Sequence, residues 1–599
     1  MNKRLWLVLL IALAVVLCSS TLALAERADL IRIALKSEER TLNPHTYATE
    51  DGYNLLKLIY DPLMVVDENL KPMLWLAEEY QVSNDGLVHT FKIHEGVTFH
   101  DGKPLTAEDV KFTYEYAIND ANAKTRFSTP SKVIKQINVL DPHTVEMVLS
   151  EQSPEFLTKP IAEMGILPKH IWENITDPYD PSANIGSGAY KLTEIKDGEY
   201  YRLEANPSYG LGTAVTKQLY LPIIKDPTAM FTALKSGAVD ATMQYLSPEL
   251  ISDFKSNSKM KTIEGGGFIS TMLYFNFERY PFNVTEFRTA LAHATNRQEI
   301  IDIVMLGAAK PGSLGYIHPE LSTYNPDVNV VDFDMNKARA MLDDLNFIDT
   351  NGDGIRESDR GEELSFEILV YATNPQRMRI AEFLRDWYRE IGVSLTIKAM
   401  DMEVVDDLVW PEFDASKGRE FDMVMWGWGA STMNSAQRLN EMMNSDLNKG
   451  NSNIGAYSNP ELDTILNQLM IEPDSTKRIE LIKQVQKLHS DNFSALTFYY
   501  GDLVFAYNPD IYDNWTFMLG SGIVNNLSLI DRSVIAATGQ TQDAADDGHE
   551  EDINGNDAAN PLDHPTENSG PQIFWIIGAI VALVIILIIV GKARAKKKK

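Results

Sequence analysis

The hydrophobic period of the chain changes twice between residues 88 and 118. Val88, Thr90, Lys92 and His94 alternate with His89, Phe91 and Ile93, the period of two that a strand imposes. His100-Asp101-Gly102-Lys103 follows as a turn whose glycine tolerates positive φ. Val110, Tyr114, Ala117 and Ile118 then recur at helical spacing behind Thr106 and Asp109, whose S/T-x-x-D/E spacing predicts a capped helix start. Over residues 377–391, Ile380, Phe383, Leu384, Trp387, Tyr388 and Ile391 make one apolar stripe, and Gly392 ends that helix. Val393, Leu395 and Ile397 alternate with Ser394 and Thr396, so helix, glycine cap and strand form the repeating unit of an α/β layer. Ala338, Met341, Leu342 and Leu345 predict a second helical stripe, and Ile479, Ile482, Val485 and Leu488 a third. Gly265-Gly266-Gly267 precedes an alternating strand and reads as a turn.

At the ends the periodicity gives way to other patterns. Lys3 and Arg4, an apolar stretch over residues 5–17 and Ala23-Leu24-Ala25 read as a secretory signal peptide, residues 1–25. The single cysteine, Cys18, lies within it, so the mature chain has neither disulfide nor thiol nucleophile. Residues 539–572 are rich in Asp, Glu, Asn and Gly and read as an acidic disordered stalk. Residues 573–590 are uninterruptedly apolar, near the lower limit for a bilayer span, and the basic tail 591–599 places that end in the cytoplasm. The expected topology is a domain tethered to the outer face of the membrane. The formal charge is −30, and eight cationic residues sit in the two ends, so the exported part carries about −38. Such acidity argues against a nucleic-acid partner.

Candidate chemistry is sparse. His89 and His94 face opposite sides of one strand and cannot share an ion. Asp349, Asn351, Asp353 and Gly354 reproduce positions one, three, five and six of a calcium loop, but Arg360 occupies the twelfth, where a bidentate Glu belongs. The loop either holds a structural calcium or simply turns; no other cofactor is required. There is no G-x-S-x-G, no H-E-x-x-H and no phosphate loop, so nothing selects catalytic residues. Trp426 and Trp428, at the end of an apolar strand, and Tyr499 and Tyr500 are the candidates for a ligand cleft, because ligands of α/β sheets bind at such ends.

Read as strings, Thr98 to Val110, Thr41-Leu42-Asn43-Pro44-His45, Ile59-Tyr60-Asp61-Pro62-Leu63, Asn184 to Leu192, Ala233 to Asp240, Phe421 to Trp428 and Tyr457 to Asp463 resemble the family 5 extracellular solute-binding proteins. These are the oligopeptide, dipeptide and nickel receptors of ABC importers. The resemblance implies an α/β, two-lobed type II periplasmic-binding-protein (Venus-flytrap) fold. Lobe one would comprise residues 27–275 and 492–533, with 63–180 as an extra subdomain, and lobe two residues 276–491, the chain crossing near 275–278 and 491–495. The implied role is a binding protein, not an enzyme, that captures a small peptide-like or oligosaccharide ligand between its lobes and delivers it to ABC permease and ATPase subunits. A membrane helix in place of a lipid anchor is similar to archaeal receptors of this kind. A surface hydrolase and a solute sensor are the competing readings. In peptide-binding relatives an aspartate follows the segment matching Trp428-Gly429-Ala430 and pairs with the ligand ammonium. Here Ser431 stands there, which favours a neutral or sugar-like ligand, or a peptide held differently.

Overall fold

The computed structural model describes residues 29–533, apart from 40, 48, 120–126, 128–130, 154, 176–183, 430–435 and 473. The signal peptide, stalk, membrane span, basic tail and Ser431 lie outside the described residues. Among the described residues, no helix is long and apolar enough to cross a membrane.

An eleven-stranded mixed sheet runs through the described residues, and two long antiparallel strands, Lys261–Phe275 and Ala495–Tyr507, form its centre. On one side Ala241–Thr242, Leu30–Ala34, Gln218–Pro222, Tyr200–Ala205 and Tyr190–Lys196 follow in order; on the other come Met423–Trp426, Ser365–Tyr371 and Ser394–Met400. Two separate cores flank this centre. Leu503, Phe505 and Tyr507 pack with Ile31, Ile33, Leu219 and Leu221, whereas Leu496, Phe498, Leu273 and Phe275 pack with Ile368, Val370 and Leu384. The same two strands thus belong to one lobe at one end and to the other lobe at the opposite end.

The transition coincides with a register shift between Gly266 and Ile269, opposite Asp502 and Gly501. Gly265-Gly266-Gly267 lies inside the strand rather than in the turn its composition suggests. The glycines serve close approach: a Cβ on Gly267 would stand 2.7 Å from the Gly501 carbonyl oxygen, too near for any side chain. The change of core falls several residues inward from the segments 275–278 and 491–495.

The local elements follow the periodicities. Val88–Ile93 buries His89, Phe91 and Ile93 and leaves alternate residues half exposed, in a four-stranded antiparallel sheet with Ala77–Val82, Thr144–Leu149 and Ile134–Asp141. Gly102 takes φ +84°. The helix Ala107–Asn119 starts with only half of the expected reciprocal cap. Asp109 Oδ2 accepts both the Thr106 amide and its hydroxyl at 2.9 Å, so that hydroxyl is a donor, not the acceptor of an orphan amide. Downstream, Pro375–Glu390 buries Ile380, Leu384, Trp387 and Tyr388, Gly392 takes φ +82°, and Ser394–Met400 runs parallel to Ser365–Tyr371.

Candidate binding cleft

The helix Glu50–Lys57 opens the first wall of the cleft. Thr49 caps it, accepting the Gly52 amide at 2.9 Å, while the Thr49 hydroxyl and amide both donate to Glu39 Oε2 at 3.0 Å. Asp51 turns away from solvent and accepts the amides of Lys36 and Ser37, at 2.8 and 3.0 Å. Gly52 is required by proximity: a Cβ there would fall within the Glu39 carboxylate. These contacts fix the helix so that Glu50, Tyr53, Leu56 and Lys57 face a cleft of about 830 Å³. Tyr53 stacks on Tyr47 with centroids 4.9 Å apart, and the Lys57 ammonium lies 3.7 Å over the Tyr53 ring.

The same lobe adds the turn Leu157–Ile161, where Lys159 pairs with Glu163 at 3.1 Å, and the loop 518–521. Across the cleft the second lobe presents Phe268, Thr323, Gly429, Ala436, Arg478, Ile479 and Ile482, while Ile269 on the shared strand packs against the first core. The lobes touch beside it. Glu155 Oε1 accepts the Gln437 amide at 3.2 Å, and Leu70 and Leu519 pack against the second lobe's hydrophobic residues. Three carboxylates, Glu50, Glu155 and Glu163, and three cations, Lys57, Lys159 and Arg478, line a cleft whose remaining surface is largely aromatic and aliphatic.

Electrostatically, Lys57 is the most perturbed of these. Burial lowers its ammonium to about 8, with attraction from Glu163 opposing and repulsion from Lys159 adding. Burial, then the neighbouring Asp51 charge, raise the Glu50 carboxyl above its ordinary value. Burial also lowers the Arg478 guanidinium.

The aromatic candidates lie behind this surface. Trp428 is buried, its indole N–H donating to the Tyr274 hydroxyl at 2.8 Å, with Arg438 5.2 Å over its ring. Trp426 is buried against Tyr371, Tyr499 is buried, and the Tyr500 hydroxyl donates to the Tyr316 carbonyl at 2.9 Å. None of the four is among the lining residues; the loop they flank reaches the cleft at Gly429. Ile479 and Ile482, read as part of a core stripe, do line it. The residues that sequence reasoning missed are Glu50, Tyr53 and Lys57. Their signal was available: polar and aromatic side chains at i, i+3 and i+7 on a helix with an apolar opposite face.

At the calcium-like loop, Asp349 accepts the Gly352 and Gly354 amides at 2.6 and 2.9 Å, Asn351 Oδ1 the Asp353 amide and Asp353 Oδ1 the Ile355 amide, each at 2.8 Å. Among the described residues, no three His, Cys, Asp or Glu side chains converge as a metal site. His89 bonds Tyr80 at 2.8 Å and His94 stands 3.5 Å from Glu78, on opposite faces as the alternation requires.

Two cores sharing two continuous strands, with a mixed-charge aromatic cleft between them, define a two-lobed α/β solute receptor of the type II periplasmic-binding class. Residues 71–450 match the bacterial extracellular solute-binding proteins, family 5 Middle, and the chain belongs to that family. It is similar to the oligopeptide-binding protein AppA of Bacillus subtilis (strain 168), 28% identical over 477 residues, covering 77% of this chain and 84% of that protein. The dipeptide-binding protein of Escherichia coli (strain K12) is 23% identical over 517 residues, 81% of this chain and 92% of the relative. The solved structure of Bacillus subtilis AppA in complex with a nonapeptide shares the fold with TM-score 0.65 at 24% identity, over 84% of this chain and 98% of that one. The ABC transporter substrate-binding protein CtaP of Listeria monocytogenes does so with TM-score 0.73 at 24% identity, over 85% and 100%.

Proposed function

We propose that this chain captures a short peptide in the cleft between its lobes and hands the closed complex to an ABC permease. The observation that carries the ligand class is the lining itself. Cations and carboxylates stand on an aromatic and aliphatic surface of about 830 Å³, which suits a zwitterion with side chains better than a neutral sugar. The lobes close about the register shift at Gly266 and Ile269, where the two long strands pass from one core to the other. A ligand stabilises the closed form by touching both walls at once.

No step of this reading involves bond making or breaking in the ligand, and ATP is hydrolysed by partner subunits. The apolar segment 573–590 and its lysine-rich tail tether the receptor to the outer face of the membrane, with the acidic stalk as spacer. Calorimetric titration with di- to pentapeptides and with oligosaccharides, followed by mass analysis of the recovered ligand, tests the proposal. Stoichiometric binding of intact peptide is expected. Preferential binding of oligosaccharide would reassign the ligand, and recovery of cleaved ligand would make the protein a hydrolase.

A further inference from the structure

The cleft-facing side of the helix Glu50–Lys57 carries opposite charges at its two ends. Glu50 and Lys57, at i and i+7, share that face with Tyr53 between them, and the helical rise separates them by about 10 Å along the axis. Among the described residues neither side chain forms an ion pair; the Lys57 ammonium rests on the Tyr53 ring, and Lys159 and Glu163 pair with each other. The neighbouring Asp51 charge adds to burial in disfavouring an ionised Glu50. Lys57 is the cation whose charge reaches Glu50, and burial and Asp51 outweigh its attraction.

We infer that the ligand is a peptide of about three residues lying along this helix, its free ammonium at Glu50 and its free carboxylate at Lys57. An extended chain advances about 3.3–3.6 Å per residue, so three residues match the axial interval between the two helix positions. The Tyr47–Tyr53 stack lies beneath the middle of such a chain and offers its central side chain a flat apolar platform. The directions in which burial moves Glu50 and Lys57 agree: burial disfavours the charged form of each more than the opposite charges nearby favour it, and a ligand charge beside either would favour it further. This inference rests on the peptide reading above and adds length, orientation and anchoring residues to it.

The test uses the purified full chain and calorimetric titration with Ala-Phe-Ala, its N-acetyl and C-amide forms, and Ala-Ala and penta-alanine for length. Amidation is expected to weaken binding to the unmodified protein about 10- to 100-fold, the range for a lost charge-assisted hydrogen bond. Lys57→Gln should weaken the free peptide by a similar factor and become indifferent to amidation, while Lys57→Arg keeps the amidation penalty and shows that the site is still folded. Glu50→Gln should do the same for acetylation. If the amidation penalty persists in Lys57→Gln, or if blocked and free peptides bind the unmodified protein equally, the orientation and anchors are overturned while the peptide reading stands. If no peptide in the panel binds, both fall.

Discussion

The two walls of the cleft differ in chemistry and in how they are held. The first lobe contributes Glu50, Tyr53, Lys57, Lys159 and Glu163; the second contributes Phe268, Ala436, Ile479 and Ile482, with Arg478 and Thr323 at its polar positions. The charged wall is fixed before any ligand arrives, by the Thr49 cap, the Gly52–Glu39 approach and the amide bonds to Asp51. Directional groups on a fixed helix can read ligand ends and orientation. The apolar wall has no such direction; it removes water and adds contact area when the lobes close. In the proposed reading, recognition and closure are divided between the lobes.

The strongest way to break this comparison is to disarm each wall in turn. Glu50→Gln combined with Lys57→Gln should weaken tripeptide binding by about 100-fold or more. Ile479→Ala or Ile482→Ala, each removing part of a half-buried aliphatic contact, should cost about tenfold or less. Equal losses from the two walls, measured by calorimetry, would erase the distinction. Next in size is the rigidity of the charged wall: Gly52→Ala drives a methyl group into the Glu39 carboxylate and should destabilise the chain by about 1–3 kcal/mol. Thermal unfolding reads it, and an unchanged Tm would mean that the helix is not held as described.

A pH profile sharpens the comparison further. For an N-acetylated tripeptide, whose only charge is its carboxylate, affinity should fall about tenfold between pH 7 and 9, because free Lys57 discharges near about 8. The sign follows from linkage: the bound carboxylate raises the Lys57 pKa, so binding takes up a proton once the pH passes the free value. Tyr53, Glu50, Lys159 and Glu163 face the same ammonium, and burial holds Tyr53 well above its ordinary value, hence neutral. A flat profile would remove Lys57 from the site. The smallest effect concerns the loop at Asp349, Asn351 and Asp353, whose oxygens already accept backbone amides. Calcium or chelator should shift Tm by less than about 2 °C, and a larger shift would establish a structural ion there.

What could be read from the chain was whatever is local. A period of two, a glycine after a helical stripe and a cap spacing act over a few residues, and Val88–Ile93, Pro375–Glu390 and Gly392 appear where those signals stand. Placement across the fold was not legible in the same way. Periodicity says that Ile479 and Ile482 share an apolar face with Val485, not that the face turns from core to cleft midway along the helix. The loop after the strand-end aromatic residues lines the candidate cleft at Gly429, yet Trp428 itself turns inward to Tyr274. The three glycines looked like a turn because a turn is the commonest local use of glycine; their role depends on a strand more than two hundred residues away. Ser431, which favoured a neutral or sugar-like ligand or a peptide held differently, lies outside the described residues. In the proposed reading the carboxylate comes instead from Glu50 on the first lobe.

The division between a reading wall and a covering wall is tested most directly by the distance between the lobes. Lys132 and Lys449 are exposed and line a second, smaller groove of about 440 Å³, Lys132 beside the strand Ile134–Asp141 and Lys449 on the second lobe. With Cys18 replaced by serine, cysteines at these two positions can carry spin labels without interference. Pulsed dipolar spectroscopy should show a broad or two-component distance distribution without ligand and a single short distance with saturating Ala-Phe-Ala. The Glu50→Gln, Lys57→Gln protein should reach the same short distance only at about 100-fold higher peptide concentration. A distribution that peptide leaves unchanged, or one that closes equally well without the two charges, would contradict the account.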